Sequence, residues 1–149
     1  MLLINRMTRH LMFISLLLLS QVSIFGQDQI DKGELVGFGC YYSGSSTKVV
    51  IKVERLIASK NYKSIIKLLH VKNPGEKYLA VISLQKLEAL SLIILNREEK
   101  DLIERIKNSN ELVSVCSGCT YFSKIQMKKL IEEGDMLGSK LWLERNIKK

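Results

Sequence analysis

The segment from Asn73 to Leu90 constrains the fold more than any other. It opens Asn73-Pro74 and continues with Leu79, Ala80, Ile82, Leu84, Leu87 and Leu90. An asparagine side chain can accept from the free N–H groups of a first helical turn. Proline at the first helical position gives up an N–H that has no intrahelical partner. Pro74 is the chain's only proline, so a helix that begins there marks a boundary. The spacing predicts a helix over 74–90 that is apolar on nearly every side. Such a helix has to be covered from several directions, so the rest of the chain must wrap it.

The flanking segments supply the cover. Val49, Val50, Val53, Leu56 and Ile57 form one helical stripe, with Ser45 and Ser46 as candidate caps. Asn61 can cap a second helix whose inward residues are Tyr62, Ile65, Ile66 and Leu69. Asn96 and Glu99 are spaced as a cap and an acid at the third position of a helix carrying Leu102, Ile103 and Ile106. Leu112 to Cys116 alternates apolar and polar and reads as extended. Ser123 with Gln126 has capping-box spacing ahead of Met127, Leu130 and Ile131, and Gly134 can end that helix. A last helix is predicted over 139–146. The expected fold class is all-α, built from short antiparallel helical hairpins.

Domain organisation follows from the N-terminal third. Arg6, Arg9 and His10 precede the apolar run Leu11–Leu19, and small and polar residues follow up to Gly26-Gln27. That order is expected of a cleavable secretory signal over 1–26, and the run is too short to span a bilayer. Residues 27–46 form a glycine-bearing lead-in with Gly33, Gly37, Gly39 and Gly44, and 47–149 a single helical domain. The expected location is periplasmic or secreted, with no stable membrane span after the signal is removed. Without 1–26 the chain keeps 21 of its 23 Lys and Arg and all 15 Asp and Glu. Export argues against nucleic acid as the partner of this basic surface, and a solvated lysine-rich face is its plain reading.

Residues 47–70 and 74–108 read as two successive helical hairpins, and Asn73-Pro74-Gly75-Glu76-Lys77-Tyr78-Leu79-Ala80-Val81-Ile82-Ser83-Leu84-Gln85-Lys86-Leu87 resembles the first helix of a HEAT-type repeat. The resemblance covers about half of the chain beyond residue 26 and implies a helical stack that binds proteins or peptides through its surface. The chain as a whole also looks like small exported proteins of Gram-negative bacteria, a likeness that implies no activity.

The residues point away from catalysis. Gly39-Cys40-Tyr41-Tyr42-Ser43-Gly44-Ser45 imitates phosphate-loop glycine spacing, but Ser45 stands where the lysine is needed. Beyond residue 26 the one histidine is His70, and there is no Gly-x-Ser-x-Gly nucleophile elbow. The sharpest local feature is Cys116-Ser117-Gly118-Cys119, with Cys40 as a third thiol. A Cys-x-x-Cys pair serves thiol exchange when a helix N-terminus lowers one thiol's pKa. In an oxidising compartment the plain expectation is a structural disulfide among Cys40, Cys116 and Cys119. Counting helix directions puts Cys40, His70, Cys116 and Cys119 at one pole, which is a Cys₃His zinc set by composition. The expectation is instead a bridge from Cys40 to Cys116 or Cys119, with His70 uninvolved. Tyr41, Tyr42, Tyr121 and Phe122 flank these cysteines as a possible contact patch. The resulting expectation is an exported, non-catalytic interaction or structural module, without a cofactor, for a protein or envelope component. The reading from another class is a thiol-redox or zinc-binding protein that uses Cys116 and Cys119.

Overall fold

In a computed structural model, residues 31–135 and 137–148 are described. The expected signal, 1–26, lies outside them. In chain order the elements are α1 (Lys48–Ala58), α2 (Tyr62–Lys67, extended by the 3-10 turn Leu68–His70), α3 (Pro74–Ala89), α4 (Arg97–Lys107), β1 (Leu112–Ser117), β2 (Tyr121–Gln126), α5 (Met127–Glu132) and α6 (Ser139–Asn146).

Helix α3 is the centre. The Asn73 side chain accepts from the Glu76 N–H at 3.0 Å, and Pro74 occupies the first turn. Tyr78, Leu79, Ala80, Val81, Leu84 and Leu87 are fully or almost fully buried. They meet α1, α2, β1, α4, α5 and α6 on different sides of the helix. Helix α1 contributes Val49, Val50, Val53 and Ile57 to the core, and α4 contributes Ile103 and Ile106. In α4 both halves of the capping box form: Asn96 accepts from the Glu99 N–H at 2.9 Å, and Glu99 accepts from the Asn96 N–H at 2.8 Å.

The all-α expectation is wrong. Strands β1 and β2 form an antiparallel hairpin, with Val113 opposite Ile125 and Val115 opposite Ser123. Strand β1 is buried on both faces. Val113 and Val115 enter the main core, and Cys116 packs with Leu35 and Cys40 in a second cluster. β-Branched and aromatic residues at period two suit this pleated surface, and Gly118 turns the chain with φ +61°. The Ser123/Gln126 spacing is therefore a strand end. Helix α5 starts one residue after it, and Gln126 at its N-cap makes no side-chain capping bond.

Ser45 and Ser46 are not caps either. Thr47 holds the N-cap position of α1, while Ser45 pairs with Cys40 and Ser46 donates to the Phe38 carbonyl at 3.4 Å. The lead-in belongs to the packed body. Val36 forms a parallel bridge to Val115, and Phe38 packs on Trp142 at a tilt, with ring centroids 5.1 Å apart. The Trp142 indole N–H donates to Glu54 Oε1 at 2.8 Å, tying α6 to α1. Among the described residues no helix is long and apolar enough to cross a membrane.

Candidate functional site

The site is the end of the molecule where the lead-in meets the β-hairpin. Residues 36–41 run alongside β1 as an irregular third strand. Val36 donates to the Ser114 carbonyl at 2.8 Å and accepts from the Cys116 N–H at 2.9 Å. Further along, Gly118 donates to Gly39 at 2.9 Å and Tyr41 donates to Gly118 at 3.0 Å. This register sets Cys40 against Cys116, and the two form a disulfide with Cα atoms 5.8 Å apart. Both half-cystines are buried, and the bridge lies against Gly37. A Cβ at Gly37 would run into both sulfurs and the Cys116 carbonyl, so no side chain fits there.

Beyond Cys40 the chain makes a tight loop and returns. Cys40 and Ser45 exchange backbone hydrogen bonds at 2.9 and 3.0 Å, and the Gly44 N–H donates to the Tyr41 carbonyl at 3.2 Å. Tyr41 sits at φ +63° and Gly44 at φ +60°. For glycine this conformation is free, but for a bulky residue it is an outlier that costs about 1–3 kcal/mol. Tyr41 is held there while its ring meets Phe122 of β2, with centroids 5.9 Å apart.

Four aromatic side chains are thus left in water around a buried disulfide. Tyr42 is 99% exposed, Tyr121 44%, Tyr41 42% and Phe122 37%. They come from two segments that are distant in sequence and pinned together by Cys40–Cys116, 76 residues apart. A groove of about 330 Å³ is lined by Phe38, Gly39, Ser117, Leu141, Trp142 and Arg145.

The structure selects Cys116 over Cys119 as the partner of Cys40. Cys119 is a free, exposed thiol in the hairpin turn, and its Sγ donates to the Tyr41 carbonyl at 3.8 Å. The Cys116/Cys119 pair is therefore split between a buried bridge and a surface thiol. His70 is placed elsewhere. It is exposed in a groove with Ile66, Asn96, Glu98, Asp101, Leu102 and Arg105. Among the described residues no three of His, Cys, Asp and Glu are grouped to hold a metal ion. Sequence reasoning missed the seat at Gly37 and the left-handed Tyr41. Gly37 carried a signal, since glycine near a cysteine marks close backbone approach; Tyr41 carried none. No protein-family model, curated protein or solved structure matches the chain.

Proposed function

We propose that this protein is an exported, non-catalytic binding module that receives a protein partner on Tyr41, Tyr42, Tyr121 and Phe122. One observation carries the reading: four exposed rings, two in the loop after Cys40 and two at the start of β2, that a buried disulfide holds in fixed relation. Tyrosine and phenylalanine are the side chains an interface buries at its centre, because they offer large rigid area at low entropic cost. Segments pinned by a covalent bridge lose little further freedom on binding, which leaves more of the contact energy as affinity. The unfavourable φ of Tyr41 supports the same reading, since strain of this kind persists where it positions a group for use. Export rests on the charge-then-apolar order of residues 6–19, and the disulfide is compatible with an oxidising compartment.

The test is a photo-crosslinking amino acid placed at Tyr42, or at exposed Glu132 as a control, in cells that produce the protein. A discrete adduct from position 42, absent from position 132 and lost on adding Tyr121→Ala and Phe122→Ala, is the expected result. Equal adducts from both positions, or none from position 42, would refute the assignment.

A further inference from the structure

The net charge of the described protein is concentrated in one hairpin. Residues 47–72, which make up α1, α2 and their flanks, carry seven Lys or Arg and a single carboxylate, Glu54. The remaining described residues carry thirteen cations and thirteen carboxylates. All seven cations of the hairpin are exposed. Lys52 is bound to Glu76 at 2.7 Å. Lys48, Arg55, Lys60, Lys63, Lys67 and Lys72 have no ion-pair partner among the described residues.

Few carboxylates offset this charge: Glu54 is the hairpin's single acid, and Glu76 of α3 pairs with Lys52. Glu54 accepts from the Trp142 indole. At the α2 edge, Glu98, Glu99 and Asp101 of α4 line the groove that holds Ile66 and His70. Helix α4 itself is neutral, with four cations and four carboxylates. On α1 the spacing of Lys48, Lys52 and Arg55 puts them on the side opposite Val50, Val53 and Ile57, which are buried. The hairpin's apolar side thus faces the core, and its other side is a field of positive charge in which Lys52 is paired and the other six cations, among the described residues, are not.

We propose that this α1–α2 face docks on an anionic bilayer surface. Clusters of four to eight Lys and Arg on an amphipathic helical surface are the size that holds to anionic headgroups. Six of the seven cations are lysines, which are compact point charges suited to a diffuse phosphate surface rather than to forked recognition of single phosphates. A single-stranded nucleic acid would call for exposed aromatic rings between the cations, and the hairpin's one aromatic residue, Tyr62, is half-buried against the core. A helix of about 16 Å presents a convex side that meets a planar surface along its length. Because the hairpin exposes no large apolar side chain, attachment is electrostatic, reversible and sensitive to salt.

The experiment is vesicle flotation of the protein purified from cells that produce it, with neutral phosphatidylcholine vesicles as baseline. Against vesicles containing phosphatidylglycerol, binding above that baseline is expected at low salt and should fall by about tenfold or more at 0.3 M salt. Lys60→Gln, Lys63→Gln and Lys67→Gln together should weaken it about 100-fold, at roughly fivefold for each lysine removed. The control Lys128→Gln, Lys129→Gln and Lys140→Gln, with the same charge change elsewhere, should stay within about twofold. Thermal melts of both variants should match the unaltered protein, since Lys60, Lys63 and Lys67 have no ion-pair partner among the described residues and Lys128 and Lys129 make only loose surface pairs. Absence of binding to anionic vesicles at low salt, or equal loss in both variants, would overturn the proposal. So would tighter binding, per charge, to heparin or single-stranded DNA, which would assign the face to a polyanionic chain.

Discussion

Removing the disulfide by Cys40→Ala with Cys116→Ala should cost a large part of the protein's stability. The bridge closes a loop with a sequence separation of 76. In the chain-entropy treatment, a cross-link of that span restricts the unfolded chain by about 4.5 kcal/mol at 25 °C. The lead-in keeps four backbone hydrogen bonds to β1 and its turn, together with the Phe38–Trp142 contact, so part of the native arrangement survives. The expected loss is therefore about 2–4 kcal/mol, set against a total of about 5–15 kcal/mol for a domain of this kind. Urea unfolding followed by circular dichroism and Trp142 fluorescence measures it. The same loss should appear when the unaltered protein is reduced, and reductant should not change the variant. Hydrogen exchange should speed up first at Val36, Tyr41 and Gly118, whose N–H groups form the seam. A midpoint shift worth less than about 1 kcal/mol would refute the reasoning, because it would mean that the bridge does not restrain this loop.

Four further outcomes follow from the geometry. Leu84→Ala, at a fully buried site in α3, should cost about 2–5 kcal/mol by urea midpoint, and an unchanged midpoint would remove α3 from the centre of the core. Ser83→Ala should be neutral or stabilising by about 1 kcal/mol, because the Ser83 hydroxyl is buried without a partner among the described residues; a loss above that would reveal a hydrogen bond to it. Tyr41→Gly should raise stability by about 1 kcal/mol by relieving the positive φ while weakening partner crosslinking from position 42; gain or loss of both together would contradict the role given to Tyr41. Burial, with a smaller contribution from Asp135 and against the Ser139 hydroxyl, pushes the Tyr78 phenol up from 10.0 to about 12. The folded state holds that proton more tightly than the unfolded chain. Stability from this group is intact below about pH 10 and is lost as the pH rises through about 12, so Tyr78→Phe should flatten the fall between pH 9 and 11.5, and parallel curves would refute it.

The helices were legible because their signals are local. Asn73-Pro74 and Asn96 with Glu99 announce α3 and α4, and the bonds they imply are present. The stripes of α1 and α4 follow from one buried face each. The β-hairpin was half legible: Val113 and Val115 alternate with Ser114, but Ser123 and Gln126 match a capping box as well as a strand end. Only pairing across the Gly118 turn decides between them. The choice between Cys116 and Cys119 was likewise a matter of register. One residue sits on a strand face against the lead-in, and the other three positions later stands in the turn. Counting helix directions grouped His70 with the cysteines because such a count carries no crossing angles. In the fold, the N-terminal half of α4 lies beside α2, and His70 faces that half. The exposure of the four rings was open from the sequence, since aromatic residues near cysteines cover a core's end as readily as they line a contact surface.

Everything assigned to the aromatic face depends on which two cysteines are joined. Digestion of the alkylated, unreduced protein followed by mass spectrometry of its peptides reads this directly. The expected result is one bridged pair of peptides joining Cys40 to Cys116, with Cys119 alkylated before reduction. A bridge between Cys116 and Cys119, with Cys40 alkylated, would contradict it, because the segments carrying Tyr42 and Tyr121 would then have no covalent link.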